Sequence, residues 1–227
     1  MFTTEHLVAN SNNSLYSTNF IDFENQNENI EKDEYGNYIV REKRIKANSM
    51  KYYMTLKDNN LYFVSTPPKN KKEIVAIDSV PKINWNISET ESKKINNFTC
   101  YKATTVFRGS EIVVYYTPEI PIGFGPFKFK GLPGLILEVY NVDTKGQKYH
   151  WKAKKIVYPY QTNIDLLFNP KNHIVPIVSN RSIVENFEKK MTLVSQKVIT
   201  SSPRGDVTRL GKIERTSIEK KYEWEEE

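Results

Sequence analysis

The chain has 227 residues, with 33 basic and 27 acidic side chains and a formal net charge of +6. Its mean hydropathy is -0.60, and it lacks any apolar stretch near the roughly 18–20 residues that a membrane-spanning helix requires. Its lysines are scattered and match no nucleic-acid-binding motif, so neither a membrane-spanning nor a nucleic-acid-binding protein is predicted.

Strand-like segments begin after a polar N-terminal stretch. Residues 1–36 are rich in Asn, Glu and Ser and predict a partly ordered arm, followed by a single β-rich domain at 37–227. Residues 49–58 and 61–65 flank the pair Asn59-Asn60. This pattern predicts a β-hairpin, because Asn tolerates a positive φ at a tight turn.

Further strands are predicted where β-branched and aromatic residues lie between Pro, Asn or Gly breakers. These strands are residues 73–77, 82–87, 99–108, 111–117, 135–141 and 148–158. Short strands at short intervals, with no alternating helices, predict an antiparallel sheet.

One helix is predicted near the C-terminus, at about residues 183–200. Ser182 and Glu185 form the S-x-x-E pattern of a capping box, and apolar residues follow at helical spacing. Ser201-Ser202-Pro203 ends the pattern. The apolar stripe predicts a helix that packs against the sheet.

The histidines and the single cysteine form no recognised reactive or metal-binding pattern. His6, His150 and His173 lie far apart and show no paired-ligand spacing, so no metal is predicted. The chain also lacks a phosphate loop and a nucleophile elbow, so no cofactor and no catalytic residue are predicted. Cys100 excludes an intrachain disulfide, and its apolar neighbours predict a buried thiol.

The carboxylates of residues 89–138 leave one catalytic alternative open. Paired carboxylates can hydrolyse glycosidic bonds, so a hydrolase that uses acidic residues of this region is a candidate. The same residues would serve equally as cross-strand ion pairs, for instance Glu91 with Lys93 or Arg108 with Glu138.

A stretch rich in Pro and Gly, residues 118–134, separates two predicted strands; we call it the Pro/Gly loop. Pro fixes φ and Gly admits positive φ, so the spacing predicts a defined, irregular path. Either Leu132 and Leu135 plug the core around a fixed turn, or residues 122–135 line a ligand opening or contact a partner.

Several ordered motifs give this region a resemblance to the GLPGLI family of Bacteroidetes proteins. The motifs are Trp85, Glu91-Ser92-Lys93, Cys100-Tyr101-Lys102-Ala103, Phe107-Arg108-Gly109, Tyr116-Thr117-Pro118-Glu119-Ile120-Pro121, Gly125-Pro126 and Gly131-Leu132-Pro133-Gly134-Leu135-Ile136. Ser110, Val114-Tyr115 and Phe127 depart from the residues common in that family. The loss of a second Arg at position 110 weakens a bidentate anion clamp at that turn.

The resemblance implies an exported protein of the periplasm or cell envelope, associated with a TonB-dependent outer-membrane receptor or its lipoprotein. Residues 1–10 show no signal peptide, which the resemblance explains if this chain is a mature form. The motifs mark as candidate binding residues Arg108, Gly125, Pro126, Gly131, Leu132, Pro133, Gly134, Leu135 and Glu138.

The predicted fold is mainly β: an antiparallel, strongly curved or half-open barrel-like sheet with one packed amphipathic helix, analogous to the LolA-type carriers of envelope lipoproteins. The predicted function is that of a non-catalytic binding or accessory protein of the cell envelope. The alternatives are a carrier of an apolar ligand in the curved sheet and the hydrolase described above.

Overall fold

The computed structural model describes residues 5–20, 29–32, 38–41, 48–65, 74–142, 148–160, 163–164, 170, 177–201, 215 and 217–225. Its strands are β1 (Glu5–Ala9), β2 (Asn13–Phe20), β3 (Asn29–Lys32), β4 (Tyr38–Arg41), β5 (Asn48–Thr55), β6 (Asn60–Ser65), β7 (Ile74–Ser79), β8 (Asn86–Ile95), β9 (Phe98–Phe107), β10 (Ser110–Thr117), β11 (Leu135–Val142), β12 (Lys148–Lys152) and β13 (Ile177–Ser179). One long helix, α1 (Asn180–Ser201), and a short 3-10 turn, Glu223–Glu225, complete the described elements.

The strands form two main sheets and a separate hairpin. The larger sheet has the order β1-β2-β5-β6-β7-β13 and is antiparallel except for the parallel pair of β7 and β13. The smaller sheet is antiparallel, with the order β12-β11-β10-β9-β8, and β3 pairs with β4. Within the described residues the sheets do not close into a barrel. The prediction of a mainly β fold with one C-terminal helix is confirmed.

Most predicted strands recur within a few residues of their predicted ends, and the hairpin at Asn59-Asn60 is present as β5 and β6. The segment at 82–87 differs, because β8 begins at Asn86 and continues to Ile95. β8 is an edge strand with mostly exposed side chains, and such strands carry little apolar alternation for sequence analysis to detect. Three strands also lie in the stretch predicted as an N-terminal arm: β1 and β2 form one side of the larger sheet, and β3 pairs with β4.

The main hydrophobic core lies between the two sheets and includes side chains from both. The larger sheet contributes Tyr16, Tyr52, Met54, Leu61, Phe63 and Ala76, and the smaller sheet contributes Ala103, Phe107, Ile112, Val114, Tyr116, Ile136 and Val139. The Pro/Gly loop adds Phe124, Phe129 and Leu132 to the same cluster. Residues 118–134 are therefore part of the core that joins the sheets.

Helix α1 begins at Asn180, three residues before the predicted start at about residue 183. The Ser182 main-chain N–H donates to Ser179 Oγ at 3.1 Å, so Ser179 is the N-cap. Ile183 packs against the core, but Phe187 is 61% exposed and Val194 46% exposed. A 22-residue helix is roughly 33 Å long, which exceeds the reach of β7 and β13, the strands it contacts. Among the helix side chains that the structure describes, the predicted packing therefore holds mainly for the first turns. No described helix is long and apolar enough to cross a membrane.

Candidate functional site

The turn between β9 and β10 holds Arg108 in an unusual backbone conformation. Arg108 has φ 44° and Gly109 has φ 79°, so both lie in the left-handed region. Gly adopts this region freely, whereas a side chain with a Cβ is strained there. The conformation directs the Arg108 side chain inward, where it is 0% exposed.

Three carboxylates surround the Arg108 guanidinium. Asp78 accepts two hydrogen bonds, from Nη1 at 2.8 Å and from Nη2 at 3.0 Å. Glu223 accepts from Nε at 3.1 Å and from Nη2 at 3.0 Å, and Glu219 forms an ion pair with Nη1. Nη2 also donates to the Ser79 carbonyl at 3.1 Å. The planar guanidinium fork is suited to such bidentate pairing.

Lys128 from the Pro/Gly loop enters the same group of charges. Its Nζ lies 2.6 Å from Asp78 Oδ2 and 2.7 Å from Glu219 Oε1, and its side chain is 4% exposed. We call Arg108, Lys128, Asp78, Glu219 and Glu223 the Arg108 cluster. Burial alone would raise the pKa of Asp78, but hydrogen bonding to Arg108 and the charge of Lys128 outweigh burial and lower it.

The C-terminal segment, residues 217–225, covers this turn. Ile218 belongs to the core, and the main-chain N–H groups of Lys220 and Lys221 donate to the Arg108 carbonyl at 2.8 and 3.0 Å. The Tyr222 ring lies 4.6 Å from the Arg108 guanidinium carbon and stacks on Trp224 at 4.3 Å. Two parts of the sequence that are more than 100 residues apart, the β9–β10 turn and the C-terminal segment, therefore meet at one buried site.

The Pro/Gly loop is anchored in the core by apolar and charged side chains. Phe124 and Phe129 are 0% exposed and Leu132 is 3% exposed. Lys130 Nζ donates to the Thr55 carbonyl at 2.8 Å, and the Lys130 carbonyl accepts from Trp85 Nε1 at 2.9 Å. Burial lowers the pKa of Lys130. This placement favours the structural interpretation of the motif over an open binding loop.

Two close approaches explain why the motif contains glycines. A Cβ at Gly125 would lie 2.7 Å from Ile136 Cβ, and one at Gly134 would lie 2.1 Å from the Thr117 carbonyl oxygen. Gly131 is exposed and has φ 95°. Of the other predicted site residues in the loop, Pro133 is exposed, whereas Pro126 and Leu135 are half-buried.

Glu138, the last predicted site residue, lies in a second charged group. The next residue, Val139, points into the main core. Adjacent residues of a strand point to opposite faces, so Glu138 points to the face of the smaller sheet away from the main core. Its Oε2 lies 2.5 Å from Lys93 Nζ, and its Oε1 lies 2.7 Å from His150 Nε2. The Lys93 ammonium also sits 3.5 Å from the centre of the Tyr115 ring.

The Lys93–Glu138 pair requires a curved sheet. Lys93 is on β8 and Glu138 on β11, so β9 and β10 lie between them. Three strand spacings of about 4.8 Å amount to roughly 14 Å on a flat sheet. Lys93 is also displaced along the strands, because it pairs with Cys100 whereas Glu138 lies in line with Tyr115 and Lys102. The resulting separation exceeds what the two extended side chains can span. The smaller sheet therefore curls toward this face, and register shifts at Ile87/Ser92 and Tyr115/Tyr116 accompany the curl.

The structure separates the two predicted charged site residues. Arg108 is at the β9–β10 turn, whereas Glu138 is paired with Tyr115, five residues along β10 from Ser110 and on the outer face. The two ion pairs suggested as an alternative role for these carboxylates do not form: Arg108 pairs with Asp78, Glu219 and Glu223, and Glu91 pairs with Lys102 at 2.8 Å. The curl of the sheet brings Lys93 to Glu138 instead.

Acidification is expected to remove the stabilisation that Glu138 provides. Burial alone would raise the pKa of Glu138, but hydrogen bonds from Lys93 and His150 outweigh it and lower the pKa below the usual carboxyl value. The stabilisation is then fully present above the unfolded-state pKa of about 4.3 and is lost as pH falls through the folded-state pKa. Denaturant titrations of the native chain and of Glu138→Gln at pH 7, 5 and 3 measure this difference.

The difference in unfolding free energy should be present at pH 7 and at pH 5 and should shrink by pH 3. Glu91→Gln is the matched control, because the Glu91 side chain is 55% exposed. A gap in unfolding free energy between the native chain and Glu138→Gln that widens from pH 5 to pH 3 would contradict the assignment.

Cys100 is fully buried, which confirms the sequence prediction. Burial raises the pKa of the thiol to about 11. Because the thiolate is the reactive form, Cys100 should not react with a disulfide reagent such as DTNB at pH 8 until the protein unfolds. Release of one equivalent of thionitrobenzoate from the native protein, at the rate seen in guanidinium, would disprove this prediction.

Among the described residues, no group of three or more His, Cys, Asp or Glu side chains is placed to hold a metal ion. The family motifs mark Arg108 as a site residue but do not mark Asp78, Lys128, Glu219 or Glu223. Lys128 lies in the Pro/Gly loop between Phe127 and Phe129. A charged residue between two aromatic residues is the one sequence feature that could have indicated a buried ion pair there. The three carboxylates carried no local signal, because they come from β7 and the C-terminal segment.

A protein-family model described as a protein of unknown function, Porph_ging, matches residues 105–138. The match spans the Arg108 turn, β10, the Pro/Gly loop and Glu138. No curated protein matches the chain.

Two crystal forms of PNGF-II resemble the chain in structure. One has a TM-score of 0.52 and 17% sequence identity over 79% of this chain; the other has a TM-score of 0.49 and 19% identity over 78%. The chain spans 28% of the length of PNGF-II in both comparisons. Likeness at this level of identity concerns the fold alone.

Proposed function

We propose that this chain is a GLPGLI-family module of the cell envelope that binds a partner without catalysing a reaction, acting with a TonB-dependent outer-membrane receptor or its lipoprotein. The proposal depends on one observation: the side chains that could act as acids, bases or nucleophiles are buried or paired with other side chains of the protein. Asp78 and Glu138 have lowered pKa values, and the pKa of Cys100 is raised to about 11. General acid–base catalysis favours groups that titrate near the working pH.

The acidic residues of the 89–138 region give no support to the hydrolase alternative. Glu89, Glu91, Glu111 and Glu119 are exposed, and Glu138 is held in contacts with Lys93 and His150. A glycosidase needs two carboxyl groups facing each other across a substrate, one of them with a raised pKa.

The proposal is tested by gentle cross-linking in a native envelope, affinity purification of the tagged chain and mass spectrometry. Two surface variants locate the interface without disturbing the core. Val106→Glu changes the outer face of the smaller sheet, where Val106 is 72% exposed, and Phe187→Glu changes α1, where Phe187 is 61% exposed. Surface substitutions of this kind leave stability within about 0.5 kcal/mol.

Enrichment of a TonB-dependent receptor or its lipoprotein by the native chain, lost in one variant and kept in the other, is the expected result. Leu132 in the Pro/Gly loop is unsuitable for this purpose, because a charge at a core position would unfold the protein. If the native chain enriches neither protein, the accessory role is excluded.

A carrier of an apolar ligand is the second candidate, favoured by a half-buried aromatic stack. The Phe127 and Trp151 rings stack at 6.2 Å with an interplanar angle of 6°, and Trp151 and Tyr149 stack at 6.2 Å with 17°. Phe127 has φ 57°, a conformation that bulky residues rarely adopt and that recurs at ligand sites. Native mass spectrometry of protein purified without detergent distinguishes this candidate by a retained small molecule.

A further inference from the structure

We propose that the Arg108 turn is a peptide-recognition site whose ligand is the C-terminal segment of this chain, and that two copies can exchange this segment so that the site of one copy is completed by Glu219 and Glu223 of the other. This inference is independent of the envelope partner proposed above, because both the site and its ligand belong to the chain itself.

Charge is the first argument. Apart from the C-terminal segment, the site holds Arg108, Lys128 and Asp78, two positive charges and one negative. With the segment in place, the side chains of all three are at most 4% exposed. Burial of an excess cation is strongly unfavourable, so a segment that covers this site has to bring acidic groups. Glu219 and Glu223 supply two negative charges and change the total from +1 to -1. Glu223 is 43% exposed, so water solvates part of the remaining charge.

Shape and side-chain chemistry are the second argument. The segment enters as an aromatic and acidic peptide: Ile218 fills the core, Glu219 meets both cations, and Tyr222 covers the guanidinium. Burial of the Tyr222 ring and its cation–π contact with Arg108 add specificity to the ion pairs. The site that receives the segment has a fixed geometry, because the bidentate Asp78–Arg108 pair holds the plane of the guanidinium group.

The mode of attachment is the third argument. Residues 217–225 are not a strand of either sheet, and main-chain hydrogen bonds to Arg108 together with side-chain contacts hold them. Outside the cluster, Arg215 forms ion pairs with Glu188 of α1 and with Glu225. A segment held by side chains at one site behaves as a tethered peptide ligand, whereas an interior strand does not.

Chain length permits the exchange. α1 ends at Ser201, and the next residue with a described contact to the C-terminal segment is Arg215, which pairs with Glu225. Thirteen residues therefore connect Ser201 to Arg215. These residues can span at most roughly 45 Å. In the monomer the tether gives the segment a high effective concentration, so the unmodified chain should be mostly monomeric at micromolar concentration. Exchange of identical elements through such a connection is a common route to dimers.

The test mixes two full-length variants that are each defective in one half of the contact. Arg108→Gln retains the segment but cannot accept one, and the double variant Glu219→Gln/Glu223→Gln retains the acceptor but carries a weakened segment. Analytical ultracentrifugation should show a 1:1 complex in the mixture, at least tenfold more abundant than any dimer of either variant alone. A mixture that stays monomeric while both variants keep a native near-UV circular dichroism spectrum would overturn the proposal.

A second measurement covers the case in which Arg108→Gln does not fold. A fluorescent peptide of residues 215–227 is titrated into the double variant and into the unmodified chain. It should bind the double variant at least tenfold more tightly, because the intact segment competes in the unmodified chain. A control peptide with Glu219→Lys and Glu223→Lys should not bind. Equal affinity for both proteins, or equal binding of both peptides, would overturn the proposal.

Discussion

Arg108→Ala is expected to lower the free energy of unfolding by about 3–5 kcal/mol, the range for breaking a buried ion pair by removing one partner. Asp78 is 0% exposed and Glu219 is 10% exposed, so both carboxylates would stay in the interior with Lys128 as their remaining cation. The Tyr222 ring would also lose the guanidinium that it covers. Urea denaturation, followed by tryptophan fluorescence, measures the change.

Arg181→Ala is the matched control. Arg181 pairs with Glu185 at 2.8 Å on α1, but the two side chains are 50% and 53% exposed. Exposed i,i+4 pairs contribute about 0.3–0.5 kcal/mol, so this variant should be nearly as stable as the native chain. Arg108→Lys should lie between them, because an ammonium keeps the charge but cannot reproduce the bidentate geometry. Similar losses for Arg108→Ala and Arg181→Ala would show that the cluster contributes little to stability.

The sequence predicted those elements whose signals are local. The β5–β6 hairpin depends on two strand-forming runs beside Asn59-Asn60, and Cys100 depends on its own apolar neighbours. The start of α1 was misplaced by three residues because Ser179 and Ser182 both offer a capping hydroxyl. β13 ends at Ser179, and this position determines that Ser179 caps the helix by accepting the main-chain N–H of Ser182.

The contacts of the candidate site depend on long-range geometry. Arg108 and Glu138 both lie in charged clusters, but the ion pair suggested between them does not form. Glu138 meets Lys93 because the sheet curls, and a hydrophobic pattern gives no measure of curl. Glu219 meets Arg108 from 111 positions away, through a segment whose charged composition is typical of an exposed tail. Its burial follows from charge balance within the fold, which local composition does not encode.

The Pro/Gly loop shows how one motif supports two interpretations. The same glycines and prolines that could open a binding loop also let a chain turn tightly inside a core. The structure favours the second, because Phe129 packs on Phe107 of the smaller sheet at 5.5 Å while Phe127 packs on Tyr52 of the larger sheet at 5.7 Å. The loop therefore bridges the sheets, and its close backbone approaches are what the glycines allow.

Gly134→Ala is expected to destabilise the fold by about 3 kcal/mol or more, at the upper end of the range for overpacking. The added Cβ would lie 2.1 Å from the Thr117 carbonyl oxygen and 2.9 Å from Pro118 Cα. Both are main-chain atoms that cannot rotate away, so β10 and β11 would have to separate where Thr117 pairs with Leu135. That movement would also shift Leu132 from the core, and urea denaturation should report the loss.

Gly131→Ala separates this steric effect from backbone strain. Gly131 has φ 95°, but a Cβ there would meet nothing nearer than Trp85 Nε1 at 3.9 Å. Its cost should be limited to the strain of a positive φ, about 1–2 kcal/mol. The order of stability should therefore be native chain, then Gly131→Ala, then Gly134→Ala. If Gly131→Ala were the less stable variant, left-handed backbone geometry rather than close packing would be the reason that the loop needs glycine.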